Sequence, residues 1–374
     1  MKLEYLDKIP KEDVINTTKP AFLERKSINN ENWFNDWRNI LVFGENLNVL
    51  KTFYENPDIR GKIKLVYIDP PFATDRNFID LDNNHAYSDK LNGHEYVEFI
   101  RQRLIFLYEL LSDEGSIYIH LDQKKGHYIK IILDEIFGDN NFRNDITRIK
   151  CNPKNFNRKA YGNIKDVIYF YSKTNLNPDL LTWNDYRIPL NEEEIVKQFP
   201  LIDTDGRRYA TNPLHAPDET NGLTSEPWKG LNPPKGRHWR YAPSKLSELD
   251  EKGLIVWSNT GNPRKKIFAE DNKGKKIQDV WEFKDKGIRY SDYPTEKNEE
   301  LLKMIIQNSS NKGDIILDCF AGSGTTLIAA EKFERKWIGI DNSPKAIEII
   351  QKRLSELKIS RPYELYTSRI IADD

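Results

Sequence analysis

The chain has little cysteine: Cys151 and Cys319 are its only thiols in 374 residues. Two thiols cannot build a disulfide framework, which agrees with a reducing compartment. No apolar run approaches the ~20 residues that span a bilayer. Met1 is followed by Lys2, Glu4 and Asp7 without the apolar segment of a signal peptide. A cytoplasmic chain with no membrane partner is expected. The formal net charge is −1, so no excess of one sign nominates a partner, and any nucleic-acid surface must be local. The six histidines show no His-x-x-x-His spacing and the cysteines no Cys-x-x-Cys, so no metal is expected. There is no Gly-Lys-Thr phosphate loop, and no internal repeat or low-complexity tract.

What is present is organised around Leu65-Val66-Tyr67-Ile68-Asp69-Pro70-Pro71-Phe72. An apolar run, read as a buried parallel strand, ends in a carboxylate, two prolines and a ring. The prolines cannot continue a sheet, because each lacks a backbone donor and has a fixed φ. Asp69 therefore stands at a strand's carboxyl end, where open α/β sheets bind ligands. An acid acceptor, a fixed carbonyl on Pro70 and the flat ring of Phe72 behind Pro71 suit a planar group that carries an amino substituent, such as a nucleobase. His120 reads as a satisfied histidine near a strand end.

Around this stretch, apolar runs that read as strands alternate with helical stripes. Ile40–Phe43, Ile63–Ile68, Ser116–Leu121, Ile315–Leu317 and Trp337–Ile340 are the strands. Ile100, Leu104, Leu107 and Leu111 lie on one helix face that Gly115 ends, and Ile129, Ile132, Leu133 and Ile136 lie on another. Ile347, Ile350 and Leu354 mark a last helix begun by Pro344. The alternation predicts a parallel sheet with right-handed crossovers. Residues 1–30 read only as an arm, Ala73 to Gly93 as a long polar loop and candidate lid, and the final dozen residues are uninformative. Beyond Asn175 turn residues and tryptophans take over until about residue 292.

A second motif, Asp318-Cys319-Phe320-Ala321-Gly322-Ser323-Gly324-Thr325-Thr326, places a Gly-rich turn between a strand and a helix start. Gly322 and Gly324 carry no Cβ, so backbone there can approach a ligand closely. Asp341 ends the next strand about 20 residues on, the place from which a carboxylate reaches ribose hydroxyls in Rossmann-like folds. The dinucleotide pattern Gly-x-Gly-x-x-Gly is not met, because position 327 is Leu.

Asp69-Pro70-Pro71-Phe72 resembles the Asp-Pro-Pro-Tyr motif of amino-group DNA methyltransferases, and the glycine stretch resembles their S-adenosylmethionine loop. The catalytic motif comes first, as in the permuted beta group, which includes the modification subunits of type III restriction systems. The resemblance extends to Gly44-Glu45-Asn46-Leu47, the run Ile117 to Gly138, and Tyr293-Pro294-Thr295-Glu296-Lys297. It covers about two-thirds of the chain and thins out from about Asn175 to Tyr290. It implies an α/β, Rossmann-like, circularly permuted methyltransferase fold, split into residues 31–175 (catalytic half) and 293–374 (cofactor half). Residues 176–292 would be an inserted target-recognition domain.

The same resemblance implies a site-specific, adenine-specific DNA methyltransferase that uses S-adenosylmethionine and releases S-adenosylhomocysteine. Asp69, Pro70, Pro71 and Phe72 would be catalytic. Asp318, Phe320, Ala321, Gly322, Ser323, Gly324, Thr325, Asp341, Asn342, Thr295, Lys297, Gly44, Glu45 and Asn46 would face the cofactor. Position 45 is more often Asp in the family, so for Glu45 a helix cap is an equal expectation. Basic residues interleaved with aromatics, Lys154, Arg158 and Lys159, then Lys235, Arg237, Arg240, Arg264 and Lys265, are the expected contacts to double-stranded DNA. The family suggests a homodimer and a restriction-subunit partner. N4 methylation of cytosine, or a non-catalytic module that binds cofactor or DNA, are the alternatives. Carbon-5 methylation of cytosine is set aside, because neither cysteine follows a proline.

Overall fold

The computed structural model describes residues 2–29, 37–71, 77–79, 85–88, 93–153, 159–174, 178–285, 297–357 and 361–370. It divides into two compact units, residues 1–186 with 278–374, and residues 187–277.

The larger unit is built on a ten-stranded sheet. Its strands in chain order are β1 (Ala21–Asn29), β2 (Asn39–Phe43), β3 (Ile63–Ile68), β4 (Leu111–Leu121), β5 (Phe142–Ile149), β6 (Lys165–Ser172), β7 (Val280–Trp281), β8 (Ile315–Asp318), β9 (Lys336–Asp341) and β10 (Tyr363–Ile370). They lie in the order β1-β10-β2-β9-β8-β3-β4-β6-β5-β7. The run from β10 to β4 is parallel, whereas β1 with β10, β4 with β6 and β6 with β5 are antiparallel. The parallel strands carry the expected unbroken apolar runs, because both faces are covered: Ile63, Leu65, Val66 and Ile68 are wholly buried.

Helices α1 (Lys11–Thr17), α2 (Asn46–Glu55), α3 (Gly93–Leu110), α4 (Gly126–Phe137), α5 (Glu299–Ser309), α6 (Thr325–Lys332) and α7 (Pro344–Ser355) complete this unit. The apolar stripes expected on α3 and α4 are buried at Ile100, Leu104, Leu107, Ile129, Ile132 and Leu133. Gly115 does not end α3, as expected, but lies inside β4. A Cβ there would come within 2.9 Å of the Ile63 carbonyl oxygen, so close strand approach, and not helix termination, requires a glycine. The N-terminal segment, read as an arm, supplies α1 and the edge strand β1. The uninformative C-terminus supplies β10, which lies between β1 and β2.

From β8 the chain proceeds to β9 on one side, and from β3 to β4 on the other. The carboxyl ends of β8 and β3 thus bracket a topological switch point, where open α/β sheets leave a crevice. The two motif halves, far apart in sequence, end side by side there.

The smaller unit has a four-stranded antiparallel sheet of Leu201–Ile202, Arg208–Pro213, Pro263–Phe268 and Ile255–Trp257. Leu214, Trp228, Trp239, Leu246 and Leu249 form its core, with Leu246 and Leu249 supplied by helix Pro243–Glu251. Trp239, which stands among basic residues in the sequence, is therefore a core side chain.

Candidate active site

Asp69 follows β3 directly and is partly exposed, with Pro70 buried behind it. Its Oδ2 lies 2.9 Å from Lys297 Nζ, an ion pair of two mostly covered side chains. Lys297 was expected beside the cofactor loop; here it compensates the acid of the first motif. Asp69 Oδ1 is buried and has no hydrogen-bond partner among the described residues. Phe72 and Thr295 lie outside the described residues.

Behind Asp69 is a buried polar network that the sequence did not announce. Tyr67, next to last in β3, donates its O–H to His120 Nδ1 at 2.9 Å. His120 Nε2 lies 3.3 Å from Asp166 Oδ2. Asp166 also binds Lys150 at 2.7 Å and lies 3.6 Å from Arg148. Arg148 in turn donates to the Phe283 carbonyl at 2.9 Å and pairs with Asp285. Burial works against the charge of Asp166, yet the bonds from His120 and Lys150 outweigh it and hold its carboxyl below the usual range. Burial, reinforced by Lys297, pushes the His120 imidazole below its ordinary value. Burial, and then Asp69, drive the Tyr67 phenol well above its own.

The glycine loop is closed on itself by backbone donors. Gly322 N–H donates to Asp341 Oδ2 at 2.7 Å and Ser343 N–H to Oδ1 at 2.9 Å, while Ala321 N–H reaches the Ile340 carbonyl. Asp341, with Asn342 after it, therefore ties the end of β9 to the loop that follows β8. Gly322 and Gly324 have φ of 51° and 76°, the left-handed region where a side chain is strained. At Gly324 a Cβ would also lie 2.6 Å from Ile350 of α7. Ser323 and Thr325 share a hydrogen bond, and Arg353 of α7 donates to the Ser323 carbonyl at 2.9 Å.

Asp318 is buried and accepts from Phe320 N–H at 3.0 Å. Burial pushes its carboxyl up to about 7, against bonds from Thr326 and Phe320 and helped by the nearby Asp69 and Asp341. Burial raises Asp341 too, against the N–H groups of Gly322, Ser343 and Asn342. Three acids thus crowd the carboxyl ends of adjacent strands, an arrangement that favours a cationic or hydroxyl-bearing guest.

Gly44 meets Asp341 directly: its N–H donates to the Asp341 carbonyl at 2.9 Å, and a Cβ would overlap Ser368. Glu45 caps α2 by accepting from Leu47 N–H at 3.3 Å, the helix-cap expectation. Its carboxylate also pairs with Arg103, a buried residue that sequence reading missed. Arg103 further donates to Asn46 Oδ1 at 2.6 Å, and Asn46 donates to the Cys319 carbonyl at 2.7 Å. A cavity of about 410 Å³ opens here, walled by Glu45, Leu47, Phe99 and Arg103 with Leu6 and Asp7 of the N-terminal segment. Phe99 packs against Phe320 of the loop, with ring centroids 6.1 Å apart.

Of the expected DNA contacts, Lys154 and Arg158 lie outside the described residues, and Lys159 is exposed. In the smaller unit Lys235, Arg237 and Arg240 are exposed. Arg237 lies 3.1 Å from His215, and Arg240 donates to the Pro213 carbonyl at 3.1 Å. Arg264 is held by Thr211, and Lys265 lies over the Tyr241 ring. Partial burial and then Arg237, Arg240 and Arg264 lower the His215 imidazole, so these cations share one neighbourhood. No helix among the described residues is long and apolar enough to cross a membrane.

A family model described as DNA methylase matches residues 63–352. The Type II methyltransferase M.EcaI of Enterobacter cloacae is 44% identical over 79% of this chain and 65% of its own length. The Type III restriction-modification enzyme StyLTI Mod subunit of Salmonella typhimurium is 26% identical over 78% of this chain and 49% of its own. The chain thus spans about half to two-thirds of the length of these relatives. Among solved structures, the M1.HpyAVI–SAM complex is 19% identical with a TM-score of 0.43, over 84% of this chain and 99% of that one.

Proposed function

The chain belongs to the DNA methylase family, and from that premise we propose that it transfers a methyl group from S-adenosylmethionine to the N6 amino group of a flipped-out adenine at specific sites in double-stranded DNA. The observation that carries this reading is Asp69: a carboxylate at the switch point, with one oxygen compensated by Lys297 and the other buried and open. The donor set fits the cofactor. Asp318 and Asp341 are carboxylates suited to an ammonium and to ribose hydroxyls, and the Cβ-free loop between them admits close backbone approach. Bound there, S-adenosylmethionine supplies an electrophilic methyl group on a sulfonium. Phe320, Ala321, Ser323 and Thr325 complete that wall, and Gly44 and Asn46 brace it.

The chain's own task is to make a poor nucleophile attack. An exocyclic amine has its lone pair delocalised into the ring; donating N–H bonds to Asp69 and to the Pro70 carbonyl makes the nitrogen more tetrahedral. Holding it in line with the methyl group then supplies much of the acceleration. Flipping the base costs a few kcal/mol, and stacking on Phe72 returns roughly 1–3 kcal/mol of that. Adenine is favoured over cytosine because the motif opens with Asp69, and in amino-group methyltransferases Asp there usually accompanies adenine whereas Ser accompanies cytosine, and because a purine offers more surface for stacking. Arg237, Arg240 and Arg264 would contact DNA phosphates. Relatives of Type II and Type III systems support a place in restriction–modification, with a second copy of the chain or a restriction subunit as partner.

The test is to incubate the protein with labelled S-adenosylmethionine and mixed-sequence DNA, then separate the digested nucleosides. Label is expected in N6-methyladenine. Label in N4-methylcytosine would overturn the choice of base, and none in either would overturn the activity.

A further inference from the structure

The reading above leaves one buried titratable group behind Asp69 without a task. His120 is wholly buried in β4, its Nδ1 4.0 Å from Asp69 Oδ1. The Asp166 carboxylate can only accept, so the proton of neutral His120 sits on Nε2. Nδ1 is then the acceptor for the Tyr67 hydroxyl. A neutral His120 in this tautomer has no proton to give Asp69, so the buried Oδ1 stays open. It has a basic nitrogen instead, one short shift away from that oxygen.

We propose that His120 is a positioning residue that keeps Asp69 Oδ1 free for the target amine and then takes the reaction's proton from it. This rests on the proposed methyl transfer. As the amine nitrogen forms its bond to the methyl carbon, the carbon–sulfur bond breaks and its electron pair leaves on sulfur. The nitrogen, now cationic, releases an N–H proton to Asp69 Oδ1. The proton passes to His120 Nδ1, which restores the Asp69 carboxylate. The imidazolium then lies between two carboxylates, Asp69 and Asp166. On product release the proton returns through Asp69, the partly exposed member, to solvent.

Among the described residues, the charged and titratable groups that face His120 all bear on this. Tyr67 and Asp69 come from the β3 end, Arg148 and Lys150 from β5 and the residues after it, Asp166 from β6, and Lys297 from the segment before α5. Burial and the cations Lys297 and Arg148 favour the neutral ring, so at neutral pH Nδ1 carries no proton and its lone pair is held by the Tyr67 hydroxyl, which must give way as the proton arrives. Protonation beforehand would turn Nδ1 into a donor and fill Oδ1, so transfer is lost as pH falls through the His120 value.

The experiment is single-turnover methyl transfer to mixed-sequence unmethylated DNA, with cofactor saturating at each pH, which removes any effect of Asp318 on cofactor binding. The wild-type chain should show an acid limb. His120→Gln should lower the rate about 10²-fold, the low end for a positioned proton-transfer group, and remove that limb. Tyr67→Phe deletes the donor that favours neutral Nδ1, so it should move the limb to higher pH. Should His120→Gln fail to fold, the direction of the Tyr67→Phe shift decides alone. A limb unchanged in both variants, whatever their rates, overturns the inference while leaving methyl transfer intact. A wild-type chain that moves no methyl group overturns both.

Discussion

The two sides of the switch point are built from different material. On the side proposed for the cofactor the carboxylates are held by main chain: Asp341 accepts from Gly322 and Ser343, and Asp318 from Phe320, all within two short segments. On the side proposed for the target base Asp69 is held by side chains from distant places. Lys297 compensates it, and Tyr67, His120, Asp166 and Lys150 stand behind it. Backbone donors give a loop already shaped before any ligand arrives. The side-chain network leaves an acceptor open and a proton path behind it. The first arrangement suits holding a ligand, the second suits acting on one.

The comparison can be broken most sharply at Asp69. Asp69→Ala should reduce transfer by about 10²–10³-fold, the scale of losing one preorganised polar group at a reacting centre, with the fold intact by thermal melting. An active variant would remove Asp69 from the chemistry. On the other side, Gly324→Ala forces a side chain to φ 76° and against Ile350, at a cost of about 1–3 kcal/mol. Its midpoint of thermal unfolding should fall, and cofactor should bind less tightly. An unchanged midpoint would mean that the loop is not braced as described.

Lys297 sharpens the division, because its motif resembles a cofactor segment while its ammonium lies on Asp69. Lys297→Gln should lower the maximal rate roughly tenfold, about 1.4 kcal/mol, and leave the cofactor dissociation constant nearly unchanged. The reverse pattern would return Lys297 to the cofactor side. The smallest expected effect is on Asp318, whose carboxyl is pushed up to about 7 by burial. The folded chain then binds a proton that the unfolded chain has lost between the ordinary carboxylate range and 7, so the ligand-free fold loses stability as pH rises through that window. A cationic ligand needs the carboxylate, so cofactor binding should strengthen over the same window and release a proton within it. Calorimetry in buffers of different ionisation enthalpy reads that proton directly.

The same division explains how much was legible in sequence. The strand, glycine turn and second strand ending in Asp341 form one local unit, so pattern and spacing exposed it. Asp69 announced itself through Pro70 and Pro71. His120 and Tyr67 looked like ordinary strand residues, because nothing local marks Asp166 or Lys297 as their neighbours; the sheet order brings them together. Arg103 was hidden in the polar turn of an amphipathic helix, though it is buried against Glu45 and Asn46. β1 and β10 were missed because strands at and near a sheet edge keep polar residues such as Glu24, Arg25 and Glu364 and lack an unbroken apolar run. Trp239 misled in the other direction. Set among arginines, it belongs by sequence to a basic, aromatic segment expected to meet DNA, yet it fills the core of the smaller unit.

The measurement that bears most directly on the central claim is calorimetric titration of S-adenosylmethionine into Asp69→Ala and Asp341→Ala side by side. If the base side and the cofactor side are separate devices, Asp69→Ala binds cofactor nearly as the wild-type chain does, and Asp341→Ala, with its loop untied, binds it much more weakly. Lost affinity in Asp69→Ala with affinity kept in Asp341→Ala would contradict the account.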